Sequence, residues 1–195
     1  MRPAVFLDRD GTMVHDAHFL RRREDLVWYP YTVDAVRLLN RAGFAVCVTT
    51  NQGGIGLGLF TEAFVLSIHE EMTRTLTAGG AHVDGWFFCP HHPEAITEEF
   101  RRDCECRKPR PGLVNRAQTL LDLDLSRSFV VGDKLADAGL AVNAGVRGVL
   151  VRTGEGDEVA RRHHGAVPGA EHIAEDLMAA TSWILREAGH PRDAA

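Results

Sequence analysis

Residues 4–12, Ala-Val-Phe-Leu-Asp8-Arg9-Asp10-Gly11-Thr12, constrain the fold more than any other stretch. Four apolar residues run unbroken into two carboxylates spaced i, i+2, followed by a glycine. Such a run reads as a strand buried on both faces, the pattern of parallel sheets. Gly11 permits a sharp exit without a Cβ penalty. Both acids then sit at the carboxyl end of a strand, where open α/β sheets bind ligands. Residues i and i+2 of an extended strand face the same side, so Asp8 and Asp10 are expected to converge. Converging carboxylates repel unless a cation or proton intervenes. A divalent ion with oxygen-only ligands suggests Mg²⁺.

The next elements extend this into a doubly wound parallel α/β fold. Residues 13–27 are polar and short and read as a flap, with His15, His18 and the run Arg21-Arg22-Arg23 expected at its surface. Thr32 to Arg41 carries a helical apolar stripe, with Thr32 as its expected N-cap and Gly43 closing it. Phe44 to Val48 reads as a second buried strand, with Cys47 in the core. Strand, helix and strand of these lengths make a βαβ unit. The second strand ends in Thr49-Thr50-Asn51-Gln52-Gly53-Gly54. A hydroxyl and backbone N–H groups there can hold phosphate oxygens. Thr61 to Thr77 reads as a helix capped by Thr61, with Phe64, Val65, Ile68, Met72 and Leu76 as its apolar stripe and His69 at the surface. Val83 to Phe88 is a third strand candidate, Pro111 to Leu121 a helix, and Phe129 to Lys134 a strand ending in Asp133. A helix over 136–144, a strand over 149–151 and a last helix over 174–188 complete the pattern.

Cysteine usage points to a second metal. Cys89 and His91 are spaced i, i+2, as are Cys104 and Cys106, and twelve residues separate the pairs. Cys89, His91, Cys104 and Cys106 make a complete Cys₃His set of the kind that holds structural Zn²⁺. On spacing alone His92 serves as well as His91.

These stretches carry a family resemblance. Asp8-x-Asp10-Gly-Thr after a strand is similar to the first motif of the haloacid dehalogenase superfamily. Cys89-Pro-His-His-Pro with Cys104-x-Cys106-Arg-Lys-Pro resembles its D-glycero-D-manno-heptose 1,7-bisphosphate phosphatases and the related histidinol-phosphatase domains. The resemblance covers residues 4–153. It implies Asp8 as nucleophile, Asp10 as general acid/base, Thr50 as the second motif and Lys108 as the phosphoryl-stabilising third. It implies Mg²⁺ held by Asp8, Asp133 and the Asp10 carbonyl, and Zn²⁺ held by His91 rather than His92. Arg107 and Lys134 are implied in substrate binding, with Asp16, Ala17, His18 and Phe19 of the flap and Asn51, Gln52 and Gly53 beside them. Asp137 either sits behind the metal, orients Lys134, or is simply an acid at a helix N-terminus. Gly53, Leu57 and His18-Phe19 stand where these phosphatases usually carry Ser, Arg and Gly-Tyr.

The resemblance therefore implies a Mg²⁺-dependent phosphatase with structural Zn²⁺, acting on a small phosphorylated sugar. It hydrolyses the 7-phosphate of D-glycero-D-manno-heptose 1,7-bisphosphate through an aspartyl-phosphate. The chain is 45% hydrophobic and 25% charged, ordinary for a globular protein. Its net charge of −5 argues against nucleic-acid binding through a basic surface. No apolar run reaches membrane-spanning length, and the first strand leaves no room for a signal peptide, so a cytoplasmic monomer is expected. Residues 1–189 are expected to form one domain without a separate cap, and 190–195 a disordered tail. The rival readings are histidinol phosphate, another sugar bisphosphate or a nucleic-acid 3′-phosphate as substrate, or a silent zinc-binding interaction module.

Overall fold

The structure, a computed structural model, describes residues 1–189. Six strands, β1 (Arg2–Leu7), β2 (Ala45–Asn51), β3 (Gly85–Cys89), β4 (Leu123–Gly132), β5 (Arg147–Val151) and β6 (His172–Ala174), form one sheet in the order β3-β2-β1-β4-β5-β6. Every neighbouring pair is parallel. Six helices connect them: α1 (Thr32–Arg41), α2 (Glu62–Ala78), α3 (Gly112–Leu121), α4 (Leu135–Ala144), α5 (Gly156–Arg162) and α6 (Leu177–Ala188).

The alternation of β1 explains the two layers. Val5 and Leu7 join Val46, Val48 and Val131 in a core covered by α1, α2 and α6. Ala4 and Phe6 point the other way, into a core with Cys47 and Val130 that α3 and α4 cover. An apolar run with no polar interruption is what a strand needs when both faces are covered. Each fully buried Leu, Val or Phe stabilises the fold by roughly 1.5–3 kcal/mol. Cys47 lies inside this core, where burial pushes its thiol up to about 12. No helix among the described residues is long and apolar enough to cross a membrane.

Several local expectations need correction. Thr32 does not cap α1; it is the first helical residue, and its hydroxyl donates to the Met13 carbonyl at 2.7 Å. That bond anchors the flap, whose Met13, Val14 and Leu20 are buried. The flap is thus less polar in its packing than in its composition. Thr61 does cap α2, its hydroxyl accepting from the Phe64 N–H at 3.1 Å. His69 is not at the surface of α2 but 3% exposed. The helix expected over 174–188 begins only at Leu177, capped by Asp176, because Ala174 closes the short edge strand β6. The expected tail at 190–195 lies outside the described residues.

Candidate active site and thiol cluster

All strands point the same way, so their carboxyl ends share one rim. Asp8 leaves β1 there, with its own N–H bonded to the Val131 carbonyl of β4 at 2.9 Å. Gly11 has a φ of +84°, and a Cβ on it would strike the Asp133 carboxylate. Only glycine turns the chain at this spot and leaves room for the acid. Asp133 follows β4, and Asp137 lies in the first turn of α4. One carboxylate oxygen from each of Asp8, Asp133 and Asp137 lies within 4.8 Å of the other two.

Lys108 reaches this cluster from the segment that leads into α3. Its Nζ lies 2.9 Å from Asp8 Oδ1 and 2.6 Å from Asp137 Oδ1, and donates to the Thr49 carbonyl at 2.8 Å. Burial opposes its charge, but the Asp137 and Asp8 carboxylates outweigh that and raise its pKa. Asn51 fixes the backbone of Lys108 by accepting from its N–H at 3.0 Å and donating to its carbonyl at 3.2 Å. Asp137 also accepts from the Lys134 N–H at 3.0 Å. One carboxylate therefore caps α4 and orients Lys108. Burial, partly offset by Lys108, pushes Asp137 up to about 6.

Lys108 within the cluster and Lys134 at its edge, 3.9 Å from Asp133 Oδ2 and shared with Asp16, do not balance three acids. Asp133 is fully buried, and burial together with the charge of Asp8 pushes its carboxyl up to about 8. Its Oδ2 accepts from the Glu155 N–H at 2.9 Å, while Oδ1 has no hydrogen-bond partner. A buried orphan oxygen among convergent carboxylates fits a hard, oxygen-seeking divalent cation such as Mg²⁺.

A small cavity joins the parts of this site. It is lined by Asp8, Asp10, Thr50, Asn51, Lys108, Lys134 and Asp137. The expected pair Asp8 and Asp10 thus shares one cavity, but the Asp10 carboxylate is not in the cluster of three. It takes hydrogen bonds from Arg9 and from Gln52 Nε2, the latter at 3.0 Å. Gln52 is 4% exposed and also donates to Thr50 Oγ1 at 2.8 Å, so it faces inward. Lys134 Nζ pairs with Asp16 at 2.8 Å, which ties the flap to the end of β4. The Asp16 carboxylate also accepts from the His18 N–H at 2.7 Å, holding His18 at a φ of +66°. Ala17 accepts from the Phe19 N–H, completing a tight turn at the flap tip.

The second cluster stands beside the first. Cys89 ends β3; His91, Cys104 and Cys106 sit on the irregular segment after it. Sulfur–sulfur distances are 3.2 Å for Cys89–Cys106, 3.5 Å for Cys104–Cys106 and 3.6 Å for Cys89–Cys104. His91 Nδ1 lies 3.4 Å from Cys89 Sγ and 3.2 Å from Cys106 Sγ. A tetrahedron with Zn–S bonds of about 2.3 Å has S···S edges of about 3.8 Å, so the four atoms are close to the size zinc requires. His92 turns away and accepts from the Glu94 N–H at 3.1 Å, which separates the two histidines that spacing left equivalent. Burial raises the Cys89 and Cys106 thiols. Arg107 follows directly, its Nη1 donating to the His91 carbonyl at 2.9 Å. A cleft of about 440 Å³ opens here, with Arg101, Arg102, Arg107, Lys108 and Arg110 in its wall. Gly53 faces the Arg107 guanidinium.

Several proteins similar to this chain are named phosphatases. A profile of HAD-hydrolase-like proteins matches residues 105–180. The D-glycero-beta-D-manno-heptose-1,7-bisphosphate 7-phosphatase of Yersinia pestis is 46% identical over 155 residues, 78% of this chain and 82% of that protein. The D-glycero-D-manno-heptose-1,7-bisphosphate 7-phosphatase of Thermosynechococcus vestitus is 41% identical over 187 residues, 94% of this chain and 95% of that protein.

The chain belongs to this haloacid dehalogenase-like phosphatase family. It is accordingly a phosphoric monoester hydrolase. The crystal structure of D,D-heptose 1,7-bisphosphate phosphatase from B. bronchiseptica, complexed with magnesium and phosphate, superposes with a TM-score of 0.83 at 34% identity. The match covers 96% of this chain and 99% of that one.

Two contributions to the site escaped the sequence. Arg9, between the two acids, is 1% exposed and bonds Asp10. An arginine flanked by a buried strand and two acids was a usable signal. Thr153 Oγ1 donates to the Gly11 carbonyl at 2.6 Å, and the Glu155 N–H reaches Asp133, so the loop after β5 closes the site. Nothing in the local sequence marks that loop, since its role comes from the sheet order alone. Ile96 makes no such contribution: it is 67% exposed, whereas Ala95 beside it is fully buried.

Proposed function

We propose that the chain removes the 7-phosphate of D-glycero-D-manno-heptose 1,7-bisphosphate, leaving heptose 1-phosphate. The observation that carries the substrate choice is the arginine-lined cleft that opens beside Lys108. With one phosphoryl group held at Asp8, the second phosphate of a bisphosphate would be met by Arg101, Arg102 and Arg107 of this cleft, Arg110 being paired with Asp103, and a monophosphate of a neutral sugar does not need them. Family membership at 41–46% identity to enzymes named for this substrate supports the same reading.

In this reading an Asp8 carboxylate oxygen attacks phosphorus. The O–P bond to Asp8 forms as the P–O bond to the sugar breaks. Asp10 gives its proton to the departing sugar oxygen, then takes a proton from the water that attacks the aspartyl-phosphate. That second attack forms inorganic phosphate and returns Asp8 to its starting state. Lys108 and Thr50 donate to the phosphoryl oxygens as charge builds on them. Asp137 keeps the Lys108 ammonium in place, and Lys134 exchanges part of its pairing with Asp16 for the substrate.

Asp8, Asp133 and the Asp10 carbonyl would hold Mg²⁺, for which the orphan Asp133 oxygen leaves a lone pair. When bound, the ion neutralises charge on the phosphoryl group and on the acids. Cys89, His91, Cys104 and Cys106 would hold Zn²⁺ as a structural ion.

Initial rates for both anomers of heptose 1,7-bisphosphate beside histidinol phosphate test the substrate. The heptose bisphosphate should give the higher kcat/KM. A value for histidinol phosphate well above both anomers overturns the choice and leaves the phosphatase chemistry standing.

A further inference from the structure

We infer that Arg9 is a positioning residue, whose buried guanidinium aims the Asp10 carboxylate at the leaving oxygen. The inference rests on the role given to Asp10 above. It starts from the bend after β1: Asp8 and Asp10 line the catalytic cavity, and Arg9 between them is turned into the protein.

All three guanidinium nitrogens are engaged. Nε lies 3.1 and 3.2 Å from the two Asp10 oxygens, and Nη2 lies 2.8 Å from Oδ2. Nη2 also donates to Gln52 Oε1 at 3.0 Å, and Nη1 faces His69 Nε2 at 3.4 Å. Two Arg9 nitrogens thus grip the carboxylate as a fork, while Gln52 holds the same Oδ2 from the side. A fork fixes the plane of a carboxylate as well as its distance.

The fork is itself held from behind. His69 stacks on Trp86 with ring centroids 4.5 Å apart, and Phe88 meets its edge at 5.9 Å. Trp86 Nε1 donates to Thr73 Oγ1 at 3.0 Å, one turn further along α2. An acceptor at Nε2 requires a neutral ring with its proton on Nδ1. Burial and the adjacent Arg9 charge lower the His69 pKa to about 3, consistent with that state. Helix α2 and strand β3 thereby set where Arg9 points, and Arg9 sets where Asp10 points.

An ion pair that served only the fold would not need this geometry. Taking a guanidinium out of water is costly. The acid it meets keeps 18% of its side-chain surface open, and that surface faces the catalytic cavity.

The test is a leaving-group comparison. For a phosphatase with a covalent intermediate, kcat/KM covers only the steps through release of the first product. An alkyl phosphate such as heptose 1,7-bisphosphate needs a proton in that step, whereas p-nitrophenolate leaves without one. Arg9→Met should lower kcat/KM for the alkyl ester at least about tenfold more than for p-nitrophenyl phosphate, within the roughly 10²–10⁴ that acid–base catalysis supplies. Arg9→Lys, which keeps the charge and loses the fork, should show the same split at smaller size. It serves where the Met variant does not fold. In an Asp10→Asn background Arg9→Met should add little further loss on the alkyl ester, because its effect runs through Asp10.

Equal losses on both esters, or full additivity with Asp10→Asn, overturn the inference. Asp10→Asn with unimpaired kcat/KM on the alkyl ester overturns the acid role itself, a separate failure that Arg9→Met alone cannot produce.

Discussion

The acidic cluster at Asp8, Asp133 and Asp137 holds a lysine ammonium between two of its carboxylates; the cluster of Cys89, His91, Cys104 and Cys106 meets cations only at its edge, with Arg102 Nε 2.9 Å from His91 Nε2 and Arg107 on the His91 carbonyl. Lys108 sits between Asp8 and Asp137 and offsets part of their repulsion. Asp8 and Asp133 also extend strands that the sheet holds in register. Of the other four, only Cys89 belongs to a strand. His91, Cys104 and Cys106 hang on a segment with little apolar anchorage: Ala95 is buried, Phe100 packs 6.3 Å from the His91 ring, and Ile96 is in solvent. The acids are therefore held by the sheet, whereas three of the four zinc-type ligands rest on an irregular segment with fewer such supports. The two meet at Cys106-Arg107-Lys108, where the end of one cluster becomes the cation of the other.

The largest effect should come from Asp8→Asn. It removes the attacking oxygen, so turnover and aspartyl-phosphate trapping should both vanish. It also removes one of three crowded carboxylates, so the melting temperature should hold. Appreciable turnover without deamidation back to Asp would show that the nucleophile lies elsewhere.

Cys106→Ser tests the dependent cluster. Zinc should fall from about one equivalent toward none by metal analysis. The kcat/KM should drop more than tenfold as Arg107 and Lys108 lose their anchor, with far-UV circular dichroism nearly unchanged. Full activity in zinc-free protein would break the link between the clusters. Global unfolding would erase the contrast, because the sheet too would then lean on the metal.

Acid should weaken the support behind Asp10. His69 has a folded-state value near 3 against 6.5 when unconstrained. Between those values the unfolded chain binds the extra proton, so stability falls as pH drops from 6.5 toward 3. The slope for one such group is about 1.4 kcal/mol per pH unit. His69→Phe should remove it, read as a shallower loss of urea-unfolding free energy between pH 6.5 and 4.5. An unchanged slope would mean that the ring is not held neutral in the fold.

The smallest effect should be Ile96→Ser. An exposed side chain contributes within about 0.5 kcal/mol, so thermal melting should barely move. A loss above 1 kcal/mol would show that the segment has the anchorage its exposure denies.

Much of this was legible because strands buried on both faces leave an unmistakable apolar signature and acids at their ends break it abruptly. Asp8, Asp133 and the Cys₃His set stood out for that reason. His69 was misread from its type, although its spacing from Val65, Met72 and Leu76 lies on the buried stripe of α2. Thr32 was misread because a hydroxyl before a helical stripe suits a cap as well as a tertiary tie to Met13. Strand β6 has three residues, too few for a period of two to register; pairing with β5 makes it a strand. The loop at 153–155 reaches Asp133 through the placement of β5 beside β4, which no local pattern encodes.

The uniform direction of the strands has a practical consequence for handling the protein. The amino terminus lies at the opposite rim from the chemistry, where the Met1 ammonium is 3.4 Å from Asp122. A fusion partner, affinity handle or surface tether attached there projects away from the flap and the arginine-lined cleft. An immobilised preparation built that way would leave the mouth of the enzyme open to solution, at the cost of one exposed ion pair.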